Sequence, residues 1–340
     1  MRVLVLVWGR QVETLQASPL LRTLAAGLPG ATVTLACSPA AAQVARALEG
    51  AGEVLALRGL DPGGSPIGGL VAWARLRRRR FDFVVICGTA ARPRLLAYLA
   101  GFGRRLGVGG GLTAVLLSDH VRSRPGENQA ATWLRLAPLL GVGAQRHEPR
   151  LEPGPAASQQ ALVQLHSTGI ADGRLLVALG AGSGHSELRR PDPETAAWDP
   201  ECWAHLANQL SARHGAGILF VGAVEDQAAA SAASLDIAAL HADLTGQLDV
   251  LGTAALLGLC DLVISGDSPL LHLAAAMGTP TIGLFGPTDG RRRGAYGDEH
   301  RVVQAVPPQD HRHRHHPDGA GGAMEQIRVE DVLAAIESSL

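Results

Sequence analysis

Short apolar runs alternate with stretches of helical period along most of this chain. In the first half, the runs at residues 2–7, 31–36, 53–57, 83–87 and 113–117 read as strands. Helical patterns at 19–27, 40–48, 69–78 and 92–100 lie between them. A Pro- and Glu-rich stretch at 147–159, HEPRLEPGPAASQ, has no apolar period and reads as a linker. The alternation then resumes with strands at 174–179, 217–221, 261–265 and 279–285, and helices at 200–212, 223–233, 250–259 and 269–277. A polar Gly/His-rich loop at 307–323 leads to an amphipathic helix at 329–340.

Strands that alternate with helices form parallel sheets covered on both faces. The expectation is an α/β chain of two Rossmann-like doubly wound domains facing an interdomain cleft. The domains run over 1–150 and 173–325, joined by a linker at 151–172 and followed by a C-terminal helix within 326–340. Ligands of such sheets bind outside the carboxyl ends of the strands.

Composition narrows the function classes. A chain of 340 residues suits two cores, and 46% apolar with 18% charged residues describes a folded protein. A net charge of -1 argues against a nucleic-acid-binding protein. Every one of the 30 basic residues is Arg, so any phosphate clamp must use Arg, His or backbone N–H groups. The cysteines Cys37, Cys87, Cys202 and Cys260 are scattered, without metal-ligand spacing. The apolar run of MRVLVLVWGR is too short for a signal peptide, and no run reaches the roughly 18 apolar residues of a membrane span. The default location is therefore the cytoplasm.

The densest chemistry lies at 243–297, DLTGQLDVLGTAALLGLCDLVISGDSPLLHLAAAMGTPTIGLFGPTDGRRRGAYG. This reads as strand, tight turn, helix, strand and Gly/Pro loop. Ser268 suits an N-cap and Pro269 the first helical position, so that helix should start at the sheet edge and favour an anion. Asp267 and His272 flank that start, and the loop GPTDG at 286–290 leaves the next strand on the same edge, followed by Arg291, Arg292 and Arg293.

These residues resemble the signature of the bacterial heptosyltransferase family, glycosyltransferase family nine: DLxG, a helix, then (N/G)D(S/T)GxxHxAAAxGxPxxxLFGPT. The match runs without a gap over some fifty positions, and it departs where Pro269 stands for the expected Gly. Upstream, LLVALGAGSG at 175–184 is similar to the family's strand and PGAxxG turn, with Leu179 for Pro. The family's KRWP becomes a longer insertion with Arg189 and Arg190 and then Trp198-Asp199-Pro200. Near the amino end, QVETLQASP resembles LGDxxxTxP and puts Glu13 on the family's proposed catalytic Asp. FDFVVICGTAARPRLLAYLAGFGRRLGV at 81–108 resembles a further segment whose Arg falls on Arg92 or Arg94.

The resemblance implies the two-domain GT-B architecture and an inverting, metal-independent glycosyl transfer with no cofactor. The donor is a nucleoside-diphosphate sugar, ADP-heptose by family default, and the acceptor is a glycan or glycolipid hydroxyl such as a lipopolysaccharide core. Glu13 is implied as the base. Gly180, Gly182, Arg189 or Arg190, Glu225 or Asp226 of VGAVED, Asp267, Ser268, His272, Gly286 and Thr288 are implied on the donor, and Arg92 or Arg94 on the acceptor. The departures leave two further readings: a catalytically degenerate nucleotide-binding protein, and a sugar-nucleotide epimerase or hydrolase.

Other motifs carry less. GAGSGH at 180–185 lacks the third Gly of a dinucleotide fingerprint. RLRRRR at 75–80 ends a helix, either as a solvated face or as a stretch that steers the protein to an anionic membrane surface. HRHRHH at 311–316 lacks carboxylate or Cys partners and suits adventitious metal binding only.

Overall fold

Apolar runs with almost no exposed residue form the central strands of both halves, as parallel sheets buried on two faces require. A computed structural model describes residues 1–58, 66–143, 145–170, 173–182, 197–286, 288–305 and 324–337, with the backbone alone at 66–70. Its chain divides into two units, Met1–Glu152 and Pro153–Leu340.

The first unit runs β1 (Arg2–Val7), α1 (Gln11–Gln16), α2 (Ser18–Gly27), β2 (Thr32–Cys37), α3 (Ala42–Ala47), β3 (Glu53–Ala56), α4 (Pro66–Arg77), β4 (Phe83–Cys87), α5 (Ala91–Leu99), β5 (Arg105–Gly109), β6 (Asp119–Arg122) and α6 (Gln129–Leu134). Its parallel sheet has the order β3-β2-β1-β4-β5-β6. Leu4, Leu6, Val84 and Ile86 of the central strands pack on Trp73 and Leu76 of α4 and on Leu96 of α5. Trp73 meets Phe102 edge to face at 5.7 Å.

The strand expected at 113–117 does not form. Residues Leu112–Leu116 make a 3-10 turn, and the sheet uses β5 and β6 instead. Glycines hide β5 from an apolar reading, and packing requires them. A Cβ on Gly107 would lie 3.2 Å from the Ile86 carbonyl oxygen, and one on Gly109 would strike the His120 ring.

The second unit runs α7 (Pro155–Ser167), β7 (Leu176–Gly180), α8 (Pro200–His214), β8 (Gly217–Phe220), α9 (Gln227–Ser234), β9 (His241–Asp243), α10 (Val250–Leu257), β10 (Leu262–Gly266), α11 (Pro269–Met277), β11 (Thr281–Phe285), α12 (Gly290–Arg293), β12 (His300–Gln304) and α13 (Val329–Glu337). Its order, β12-β11-β10-β7-β8-β9, repeats the first sheet strand for strand when counted from β7. Both are the order in which two βαβαβ halves meet at a topological switch point, between β1 and β4 and between β7 and β10.

The linker expected at 151–172 is largely helical. Leu151 bridges to Leu48 within the first unit, and α7 starts at Pro155 after Gly154 and packs against α10. Ala161 is its one buried residue, so the pattern carried no amphipathic signal. Trp198 closes the second core. Its indole N–H donates to the Ile327 carbonyl at 2.8 Å, and its ring meets Trp203 of α8 edge to face at 4.9 Å. Among the described residues, no helix is long and apolar enough to cross a membrane.

Candidate functional site

Parallel strands bring their carboxyl ends to one edge, and in the second unit that edge collects most of the expected donor residues. Gly180 ends β7 beside β10, where a Cβ would lie 2.5 Å from Ser265 Oγ. Gly182 follows, and a Cβ there would collide with the Asp226 carboxylate. Asp226 accepts the Ala223 N–H at 3.0 Å and so closes the turn after β8. Glu225 is exposed beside it. The two acids are therefore not equivalent: Asp226 shapes the turn, and Glu225 faces solvent.

At the switch point, Asp267 follows β10 and pairs with Arg293, whose Nε lies 3.1 Å from Oδ2 and 3.3 Å from Oδ1. Both side chains are largely shielded. The start of α11 offers a ligand less than its sequence suggested. Ser268 is buried, and its hydroxyl meets Ser265 Oγ at 2.8 Å and accepts the Leu270 N–H at 3.3 Å. Pro269 has no N–H, so the first turn leaves at most the amides of Ser268 and Leu271 for an anion. The Ser268 oxygen is the helix cap, as its place before Pro269 indicates.

His272 lies one turn into α11, is 3% exposed, and has Nε2 buried without a hydrogen-bond partner. Burial, then the charges of Arg293 and His300, push its pKa down to about 3, against a hydrogen bond to the Arg293 backbone that raises it. His300, hydrogen-bonded to Thr281 at 3.2 Å, is lowered to about 4 by burial and by Arg301. Both rings are neutral at pH 7. A folded pKa below the unfolded value of about 6.5 costs nothing above pH 6.5, and it destabilises progressively as pH falls below that. Between pH 7 and pH 5, His272→Leu should remove about 2 kcal/mol of the wild-type stability loss, read by urea unfolding at the two pH values. An unchanged loss would mean that His272 ionises freely in the folded protein.

The loop after β11 is held from β12, an element the sequence reading missed. Gln304 donates to the carbonyls of Phe285 and Gly286, both at 2.9 Å, and accepts the Gly290 N–H at 2.9 Å. Gly286 has no room for a Cβ against Met324, and Thr288 is half-buried at the loop. Arg189 and Arg190, and the histidines at 311–316, lie outside the described residues.

At the switch point of the first unit, Glu13 sits in the first turn of α1, six residues past the end of β1. Its Oε2 accepts the Arg10 N–H at 3.0 Å, and Gly9 gives it space, since a Cβ there would lie 2.6 Å from Glu13 Cγ. Arg92, after β4, lies over the Trp8 ring at 5.3 Å, so the two loops of this switch point meet through a cation–π contact. Arg94 is corrected. It is 1% exposed and donates to Thr113 Oγ1 at 2.9 Å, to the Gly110 carbonyl at 3.4 Å and to the Val108 carbonyl. It braces a loop and has no face for an acceptor.

The family described as Glycosyltransferase family 9 (heptosyltransferase) matches residues 71–321. Lipopolysaccharide heptosyltransferase 2 of Escherichia coli strain K12 is 23% identical over 242 residues, covering 68% of this chain and 67% of the relative. The family 9 glycosyltransferase structure from Veillonella parvula superposes with a TM-score of 0.84 at 21% identity, over 99% of this chain and 96% of that one. The E. coli heptosyltransferase solved with ADP-2-deoxy-2-fluoro heptose gives a TM-score of 0.71 at 19% identity, over the whole of both chains.

Proposed function

Because this chain belongs to glycosyltransferase family 9, an enzyme family with the GT-B fold, we propose that it moves a heptose from ADP-heptose to a glycolipid acceptor of the lipopolysaccharide-core type. The observation that carries this reading is the set of groups gathered at each unit's own switch point: Asp267, Arg293, His272 and the 286–290 loop in the second unit, Glu13, Trp8 and Arg92 in the first. The transfer is inverting. Glu13 takes the acceptor proton while the hydroxyl oxygen bonds to the anomeric carbon and the bond to the diphosphate breaks. Arg293, the amides left at α11 and the loop at Thr288 stabilise the charge that grows on the diphosphate, so the chemistry asks for no metal and no cofactor. Glu225 receives the ribose hydroxyls. The enzyme works in the cytoplasm, at the inner face of a membrane that presents its acceptor.

Supplying ADP-heptose with and without a deacylated core acceptor, and ADP-, GDP-, UDP- and dTDP-sugars in parallel, tests this reading by nucleoside diphosphate release. Release of ADP only when the acceptor is present is expected. Release without acceptor would make the protein a hydrolase, and no release from any donor would overturn the transfer. The capped start of α11 favours a second reading, a nucleotide-binding chain without turnover. It predicts tight ADP in calorimetry with no release.

A further inference from the structure

The first unit leaves a row of large apolar side chains in solvent. Leu95, Tyr98 and Leu99 stand at i, i+3 and i+4 on the outward face of α5, and all are exposed. The 3-10 turn Leu112–Leu116 packs against α5, and its Leu112 and Val115 are 94% and 82% exposed. The turn is braced. Arg94 holds it from beneath through Gly110 and Thr113, at the cost of desolvating a guanidinium whose burial lowers its pKa. A buried cation thus fixes a loop whose most prominent groups are aliphatic.

Basic side chains predominate around this face, with Arg79 paired to Glu53. Between positions 66 and 118 the chain carries nine Arg and one acid, Asp82. Arg105 lies over the Tyr98 ring at 5.3 Å, and Arg104 is exposed over Phe83 at 4.5 Å. Arg75, Arg77, Arg78 and Arg80 are exposed at the end of α4, which packs against α5. Arg77 reaches the end of α5, where a Cβ on Gly101 would lie 3.8 Å from its guanidinium. Fixed aliphatic groups rimmed by guanidinium groups are complementary to a surface with an apolar interior and anionic headgroups. A second copy would bring the same positive rim against itself, which is unfavourable.

We propose that this face docks on an anionic bilayer, with Leu112 and Val115 entering the headgroup region and the arginines on lipid phosphates. This deepens the membrane contact of the transfer reading by assigning its surface, and it is tested by vesicle binding, which needs no turnover.

The full-length protein is sedimented with vesicles of phosphatidylglycerol and phosphatidylcholine, and with phosphatidylcholine alone. Binding to the mixed vesicles only, weakened by salt, is expected. Leu112→Ser/Val115→Ser should lower the partition coefficient about tenfold or more. Arg77→Gln/Arg78→Gln should lower it roughly fivefold per arginine. Neither pair should alter ADP release with a deacylated acceptor. Equal binding to both vesicles, no binding, or wild-type partition by both variants would overturn the proposal. So would a free-solution dimer that Leu112→Ser/Val115→Ser converts to monomer, because that face would then belong to a second copy. Vesicle binding by a protein that moves no sugar would support the docking face and count against the transfer alone.

Discussion

Glu13→Gln should lower kcat by about 100-fold or more while the KM for the donor stays within a few-fold, the range expected when a general base is removed. The substitution is chosen for the geometry at the start of α1. Glu13 Oε2 accepts the Arg10 N–H, so an alanine would remove a helix cap together with the carboxylate. Gln keeps an oxygen for that hydrogen bond and loses the basicity. Glu13→Ala should therefore match the kinetic defect of Gln and lose about 1 kcal/mol of stability besides. Full turnover in Glu13→Gln, with only the Ala protein destabilised, would reduce Glu13 to a cap and remove it from the mechanism.

The second large effect is expected at Asp267. Its carboxylate holds Arg293 through Nε, and both groups are mostly withdrawn from water. Truncating one partner of such a pair leaves the other charge shielded and unanswered, a change of about 2 kcal/mol or more. On the proposed mechanism, Asp267→Ala should weaken ADP binding tenfold to a hundredfold by calorimetry, because the guanidinium loses the partner that fixes its position. The defect should be greater for ADP than for adenosine monophosphate, since the proposed mechanism assigns Arg293 to the diphosphate. Unchanged or tighter ADP binding would place the donor away from the β10 edge.

The central strands were readable because burial on two faces forces continuous apolar runs, as in β1, β4, β7, β10 and β11. Of the sheet edges, β3 was read, and β6, β9 and β12 were not. An edge strand is paired on one side only and stays partly wet, so sequences such as DHVR, HAD and HRVVQ need no apolar run. The site divides in the same way. Asp267 and His272 stand in a contiguous motif at the end of a buried strand. Choosing Arg293 from three consecutive arginines requires knowing which way α12 turns. Arg92 and Arg94 are two residues apart on α5 and therefore point to nearly opposite sides of it, one over Trp8 and the other inward, a distinction that appears once the helix is placed against its sheet. Gln304 had no signal at all, because its work is done for backbone groups of a loop far away in sequence.

The indole of Trp198 has a last consequence. By docking on Ile327 it ties the chain immediately before α8 to the segment that leads into α13, two stretches 129 residues apart. Truncating that one side chain would therefore loosen both ends of the second core at once, rather than a single helix.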